Sequence, residues 1–395
     1  MGKLDTPELR FPEFEGEWIF RNLGNISDVR TGPFGSVLHQ KDYVDIGTPI
    51  ITVEHLSDYG ILHTNLPLVS DYDKERLKSY ILGKDDIVFS RVGSVDRNTL
   101  ISKREEGWLF SGRLLRVRLD NQYNAKFVSL YFQKDKSKHQ IRKIAVGQTM
   151  PSINTEILKS ILICTPGHKE QQKIASFFTS IDKKIELLKK KHSLLEQYKK
   201  GVMQKIFAQK IRFKDSDGND YADWEEKKLG EVFDVTRGNV LAVNKLKQAP
   251  CNEYKYPVYS SQTKNNGLLG YFNEYIYENA ITWTTDGANA GAVKFRKGKF
   301  YCTNVSGVLI NHKGNANQAI AEILNRITKR YVSYVGNPKL MNNVMAIIKI
   351  EFPHVAEQTK IANFLSAIDK KIEKVQLQID KAEEWKKGLL GRMFC

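Results

Sequence analysis

Cysteine is scarce in this chain, with four in 395 residues: Cys164, Cys251, Cys302 and Cys395. No two form a C-x-x-C pair and no secretory segment precedes them. That argues against a disulfide framework or a cysteine-built zinc site, and reduced thiols in the cytoplasm are expected. Long apolar runs are missing too. None approaches ~18 residues, which excludes a membrane-spanning helix.

The motifs of catalysis are also absent. Without G-x-x-x-x-G-K-[ST], ATP hydrolysis by a phosphate loop is unsupported; the pairs Gly83-Lys84 and Gly298-Lys299 lack the preceding glycine. No Asn/Asp-Pro-Pro-Tyr/Phe run, of the sort that grips a target base for amino-methyl transfer, occurs; Asn337-Pro338 continues as Lys339-Leu340. There is no G-x-S-x-G elbow and no H-E-x-x-H helix. The eight histidines are scattered. Asp223, Glu225 and Lys227 have the residue types of a nuclease cluster but read as a charged, exposed approach to the second half. Asp215 to Asp220 resembles a calcium loop with Glu226 at its twelfth position. Asp220 occupies the sixth position, where that loop needs glycine, so a polar turn is the better reading. The sequence reads as non-catalytic.

Acidic residues are outnumbered, 45 against 61 basic, leaving a formal charge of +16 spread along the chain. With 41% hydrophobic residues, that charge belongs to folded surfaces and favours a polyanionic partner.

What the chain does have is a repeat. Pro166 to Phe207 recurs without insertion as Pro353 to Phe394, 187 residues later. Its signature, E-Q-Q-K-I-A-S-F-F-T-S-I-D-K-K-I-E from Glu170, returns as E-Q-T-K-I-A-N-F-L-S-A-I-D-K-K-I-E from Glu357. A long repeat in constant register means two equivalent halves. Ile174, Phe178, Ile181, Ile185, Leu188, Leu195, Val202 and Ile206 fall on alternating steps of four and three. Ile361, Leu365, Ile368, Ile372, Val375, Ile379, Ala382, Leu389 and Met393 occupy the same seam. Such spacing predicts two coiled-coil helices, each a rod of roughly 60 Å that needs a partner for its apolar stripe. His192 and the paired positions Lys199 and Lys386 interrupt the seam, which should weaken it locally and help fix register. The first helix carries ten lysines against four acids between Lys169 and Lys205, densest at Lys189 to Lys191. A solvated face is the default reading of that run.

The predicted organisation is therefore a globular segment at 1–165, a helix at 166–211, a second globular segment at 212–352 and a second helix at 353–395. Short β-type runs such as Asp86 to Phe89, Leu114 to Arg118, Tyr256 to Tyr259 and Gly307 to Ile310 fill the globular segments, separated by glycine and asparagine turns. Their beginnings echo one another: Trp18, Leu23-Gly24 and Asp28-Val29 match Trp224, Leu229-Gly230 and Asp234-Val235. Pro151 matches Pro338 at the spacing of the helices. The middles differ. Each half has a common frame around a divergent interior.

Together these features resemble one family, the specificity subunits of type I restriction–modification enzymes. The resemblance covers essentially the whole chain. It rests on Leu9-Arg-Phe-Pro-Glu-Phe14 with Trp18 and Leu23-Gly24, on Thr31 to Ser36, on Gly147-Gln-Thr-Met-Pro-Ser-Ile-Asn154, and above all on the duplicated helix. It implies an α+β fold of two α/β target-recognition domains, each followed by a long helix. The helices would pair as an antiparallel coiled coil with pseudo-twofold symmetry. It implies double-stranded DNA as ligand, read at a bipartite site, with two methyltransferase subunits docked on the chain and restriction subunits joining through them. No cofactor is then expected on this chain; S-adenosylmethionine, ATP and Mg would sit on partner subunits. The second half has Ala280 to Gly287 where the first has Asp86 to Gly93, so the half-site sequences are out of reach.

DNA contacts are expected from polar and basic residues in glycine-bearing loops. In the first half these are Arg30, Ser36, Lys41, Ser90, Arg91, Ser94, Arg97, Arg113, Gln148 and Thr149. In the second they are Arg237, Asn239, Ser261, Gln262, Lys264, Thr285, Asp286, Asn289, Lys294 and Asn304. Arg91 and Arg97, flanking Gly93-Ser94, and Thr285-Asp286 before Gly287 stand out, because glycine lets backbone approach a ligand. Phe34, Tyr271 and Trp283 read as core or loop anchors. Two other classes of function fit the same features: a stand-alone two-headed DNA-binding regulator, and a coiled-coil scaffold with no DNA role.

Overall fold

A computed structural model of the chain describes residues 6–33, 37–261 and 264–395. The chain divides into two compact units, Met1–Lys190 with Gln376–Cys395, and Lys191–Val375. The division cuts through both long helices, so each unit holds one end of each.

In the first unit an antiparallel sheet runs in the order Ser27–Thr31, Leu114–Leu119, Ile87–Ser90, Asn98–Leu100. Ile87-Val-Phe-Ser90 is buried throughout because both faces of the strand are covered. Ile87 and Phe89 enter the core shared with helix Ala125–Gln133, while Val88 points into a second cluster with Ile51, Phe110 and Leu114. A further sheet is ordered Leu109–Phe110, Thr48–Ile51, Leu68–Val69, Tyr43–Val44. The strand Ile19–Asn22 pairs with Leu162–Thr165, which leads into the first long helix.

The second unit repeats this frame. Asp234–Arg237, Ser306–Ile310, Tyr277–Thr284 and Val293–Cys302 follow one another in the same order and the same antiparallel sense. Glu225–Lys228 pairs with Lys349–Phe352 before the second long helix. The difference lies in what is added. Here Tyr256–Tyr259 and Leu268–Phe272 extend the main sheet, giving six strands, where the first unit builds a separate sheet.

The long helices span His168–Phe207 and Val355–Arg392. The repeated Glu-Gln pair fastens each start. Gln171 donates to the Pro166 carbonyl (2.9 Å) and accepts from the backbone N–H of Asn124 (2.9 Å), the N-cap of helix Ala125–Gln133. Gln358 donates to the Pro353 carbonyl (2.8 Å) and accepts from the side chain of Asn317 (2.7 Å), the N-cap of helix Gln318–Ile327. Both Glu170 and Glu357 take a forked arginine, Arg10 at 2.8 and 2.7 Å and Arg212 at 3.3 and 2.9 Å. The motif is thus an anchor that fixes each helix to its own globular layer.

Seam positions are buried or half-buried. In the first unit Ile174, Phe178, Ile181 and Ile185 share a core with Leu389, Met393 and Phe394; Ile379 is buried, and Leu188 and Ala382 are half-buried. In the second, Ile206 packs with Ile361 and Leu365; Ile368 and Val375 are buried, and Leu195, Val202 and Ile372 are half-buried. In the first unit the two helix ends run in opposite directions, with Asp182 by Lys386 and Lys189 by Glu383, each at 2.7 Å; in the second, Lys199 by Asp369 and Ile206 by Ile361 give the same sense.

The interrupting lysines each meet an acid. Lys386, 5% exposed, pairs with Asp182 of the first Ile-Asp-Lys-Lys-Ile-Glu motif, and Lys199 pairs with Asp369 of the second at 2.8 Å. Each copy's lysine meets the other copy's aspartate. The surroundings differ. Asp182 is shared with Lys126 (2.6 Å), whereas Lys199 also has Glu322 (3.2 Å). Burial lowers the pKa of Lys386 below the ordinary lysine value despite Asp182. At Lys199 burial also opposes the charge, but Asp369 and Glu322 raise the value overall.

Candidate nucleic-acid interface

Three first-unit loops that are distant in sequence meet at the end of strand Ile87–Ser90. The Arg91 N–H donates to the Arg113 carbonyl (2.8 Å), Gly93 to Pro151 (2.8 Å) and Ile153 to Arg91 (2.9 Å). These bonds bring Arg91, Ser94, Arg97, Arg113, Gln148 and Thr149 to one edge. All are exposed except Arg91, which is half-buried with its guanidinium 3.4 Å from the Gly112 carbonyl. Gly93 has φ +77°, a left-handed backbone that explains glycine there.

The second unit makes the same arrangement at the end of Tyr277–Thr284. The Gly287 N–H donates to Pro338 (2.9 Å), Leu340 to Thr285 (2.9 Å), and Asp286 bridges Lys339. Gly287 has φ +88°. The match extends to the first strand of each sheet, where Gly32 and Gly238 press against the backbone carbonyls of Ser111 and Cys302 too closely for any side chain. Arg237 donates to the Asn304 carbonyl at 2.6 Å, holding that edge together.

Not every candidate has its side chain available. Ser90 is fully buried and donates to the Val92 carbonyl (3.1 Å), because it ends the doubly covered strand. Thr285 is buried too, bonded to Asp286 (2.7 Å) and to the Val305 carbonyl (3.0 Å). Both shape the loop from beneath. Arg30 is exposed but donates to the Ser79 carbonyl (2.6 Å). Lys294 is half-buried against Asn266 (2.5 Å), and burial followed by the Arg296 charge lowers its pKa. Lys41, Asn239 and Asn289 are exposed; Ser261, Asp286 and Asn304 are half-buried. Ser36, Phe34 and Gln262 lie outside the described residues, as does the side chain of Lys264.

Trp283 is a core residue whose indole N–H donates to the Leu340 carbonyl (3.0 Å). Tyr271 is half-buried. Asp215 accepts from the N–H groups of Asp217 (2.9 Å) and Asn219 (2.8 Å), the geometry of a polar turn. Lys189 is tied to Glu383 and lies 4.1 Å from the Tyr59 ring centre, so this member of the lysine cluster has a partner. Residue-by-residue reading of loops missed two basic pairs, Arg142-Lys143 and Lys329-Arg330, all exposed and just before the segments of Pro151 and Pro338. They stand 187 residues apart, so the spacing of the repeat could have found them.

A family model described as "Type I restriction modification DNA specificity domain" matches residues 15–197 and 221–382. A Mycoplasma pneumoniae protein named as a type I specificity subunit is 36% identical over 160 residues, 40% of this chain and 43% of that protein. The specificity subunit named for the type I restriction enzyme MjaX of Methanocaldococcus jannaschii is 28% identical over 97% of this chain and 94% of its own length. Among solved structures, the type I restriction–modification S subunit from M. genitalium superposes with a TM-score of 0.66 at 16% identity, covering 99% of both chains. At that identity the likeness is one of fold.

Proposed function

Because the chain belongs to the type I restriction modification DNA specificity family, we propose that it reads a bipartite duplex-DNA site, one half-site per unit, for partner subunits that do the chemistry. The observation that carries this reading is the recurrence of one pinned loop arrangement, with different side chains on it, in both units. A constant scaffold with variable tips suits two readers of the same kind with different targets. In the first unit Arg91, Arg97 and Arg113 would hold phosphates or guanine edges, with Ser94, Gln148 and Thr149 at base edges. In the second, Arg237, Asn239, Asp286 and Asn289 would do the same.

The long helices would pair as an antiparallel coiled coil that spaces the readers. This is supported by the opposed packing of helix ends inside each unit and by the reciprocal Lys386–Asp182 and Lys199–Asp369 pairs. Two methyltransferase subunits, with S-adenosylmethionine, and restriction subunits, with ATP and Mg, are the expected partners. The reading as a lone regulator predicts no methylation mark.

Exchange of one reader tests the scheme. Replacing residues 212–340 with the equivalent segment of a relative, in cells that also express the methyltransferase, should rewrite one half of the methylated site. The half read by residues 1–150 and the spacer length should stay. Genome-wide methylation mapping reads the outcome, and a change in both halves would refute independent readers.

A further inference from the structure

The same short hairpin stands in both units beside the pinned loop, and most of its side chains have no role in the reading above. In the first unit Val146 and Ser152 exchange both backbone hydrogen bonds (2.9 and 2.8 Å) and close the loop 147–151. In the second, Ser333 and Lys339 do the same (2.8 and 2.9 Å) and close 334–338. Each is pinned from the side as well, by the Gly93–Pro151 and Gly287–Pro338 bonds. A loop held at its base and its flank presents a fixed tip.

Those tips place large apolar side chains in water. Met150 is 65% exposed, Tyr334 69% and Val335 92%, while Val146, at the base of the first hairpin, is 63% exposed. Immediately before each hairpin comes an exposed basic pair and an exposed apolar residue, Arg142-Lys143-Ile144 and Lys329-Arg330-Tyr331. The pattern is shared, while the tip residues differ. Two cations beside an apolar point, on a chain of charge +16, fit a polyanion whose grooves hold apolar features between phosphates. Duplex DNA has that character, with thymine methyls and base faces lying between charged backbones.

Resting on the reading of each unit as a half-site reader, we infer that each hairpin tip enters a DNA groove and makes the apolar base contacts that set part of its half-site, while the adjoining basic pair grips the flanking phosphates. Arg142 also lies 3.4 Å from Asp96, which belongs to the pinned loop, so basic pair, hairpin and loop form one element in the first unit. In the second unit Tyr334 and Val335 supply the tip and Lys329 and Arg330 the phosphate contacts.

The test uses the full chain and a pool of 40-base-pair duplexes of random sequence, selected by binding and sequenced. The double variant Tyr334→Ser, Val335→Ser should lose about tenfold or more of base preference at one or two positions of a single half-site. Its binding to unselected duplex at low salt should stay within about twofold, with an unchanged salt slope. The double variant Lys329→Ala, Arg330→Ala should weaken all duplexes and reduce the slope of log affinity against log salt by about 1.8. Tyr334→Phe keeps the apolar tip and should keep the preference, which guards against a folding artefact in the serine variant. Unchanged preferences in the serine variant, or a uniform loss across all sequences, would overturn the hairpin assignment alone. Failure of the unaltered chain to select any sequence would bring down the half-site reading itself.

Discussion

Removing the carboxylate of the repeated Ile-Asp-Lys-Lys-Ile-Glu motif should have unequal consequences at its two copies. Asp182→Ala leaves Lys386, 5% exposed, with a buried ammonium and, among the described residues, no ion-pair partner. Lys126 also loses its partner, but its side chain is 24% exposed and can turn to water. Breaking a buried pair from one side costs about 3–5 kcal/mol. The lower end applies, because burial already lowers the pKa of Lys386 and gives it a route to neutrality. Asp369→Ala leaves Lys199 with Glu322 at 3.2 Å and a side chain 19% exposed, so about 1 kcal/mol is expected. For a unit of this size 1 kcal/mol moves the melting temperature by about 2–4 °C. Calorimetry should show the first unit melting about 6–12 °C lower in Asp182→Ala, and the second about 2–4 °C lower in Asp369→Ala. Adding Lys386→Met to Asp182→Ala removes the stranded charge and should restore at least half of the loss. Equal shifts for the two aspartates, or no recovery with methionine, would refute the argument from unequal surroundings.

Other expectations follow from single contacts. Lys134 is buried and its pKa is lowered to about 8, chiefly by burial, from an ordinary 10.5. Between those values the unfolded chain keeps a proton that the folded chain has released, so stability increases as pH climbs through that window. Lys134→Met should therefore be the more stable protein at pH 7, by up to about 3 kcal/mol, with the gap closing above pH 8 in urea titrations. Burial pushes Cys302 up to about 12, while Cys251 is exposed. A thiol reagent at pH 8 should label Cys251 in the native protein, and Cys302 only after denaturant is added. Gly307 lies against the Trp283 ring too closely for a Cβ, so Gly307→Ala should cost about 1–3 kcal/mol and lower the melting temperature of the second unit. Ile185→Asp puts a carboxylate into a fully buried seam position and should abolish assembly with methyltransferase, read by co-purification.

The duplicated helices were legible because their physics is periodic. A stripe repeated every three or four residues can only be buried one way, and Ile174 through Ile185 are buried as their spacing required. The frame was legible through its fixed points, Trp18 with Trp224 and Pro151 with Pro338, which need no knowledge of the residues between. The seam lysines were read as interruptions at repeat positions, and the acids that pair with them were not foreseen. Sequence spacing sees one helix at a time, and the aspartate that satisfies Lys386 lies in the other copy. The same blindness affected the loop candidates. Ser90 and Thr285 have the residue types of base readers and sit beside glycine, but their side chains point inward. Exposure at a strand end depends on what covers the strand from both sides, and that is set by segments far away in sequence.

The backbone that holds the loops is the same in both units. A backbone bond such as Gly93 to Pro151 could be an accident of one loop, but its recurrence as Gly287 to Pro338 is not explained by local sequence. The residues around the two bonds differ, Arg91-Val92 in one and Thr285-Asp286 in the other. Only the glycine and the proline are kept, and both serve backbone geometry. The constant part therefore fixes where the tips stand, and the variable part decides what stands on them. In unit two the added strands Tyr256–Tyr259 and Leu268–Phe272 bring the Asn266 carbonyl and Arg296 together at 2.7 Å, behind a sheet that unit one does not extend in this way. Divergence thus reaches the layer behind the tips as well as the tips themselves. A change of specificity that exchanges only tip residues should then be incomplete, whereas one that exchanges the whole of 212–340 should carry the new half-site intact.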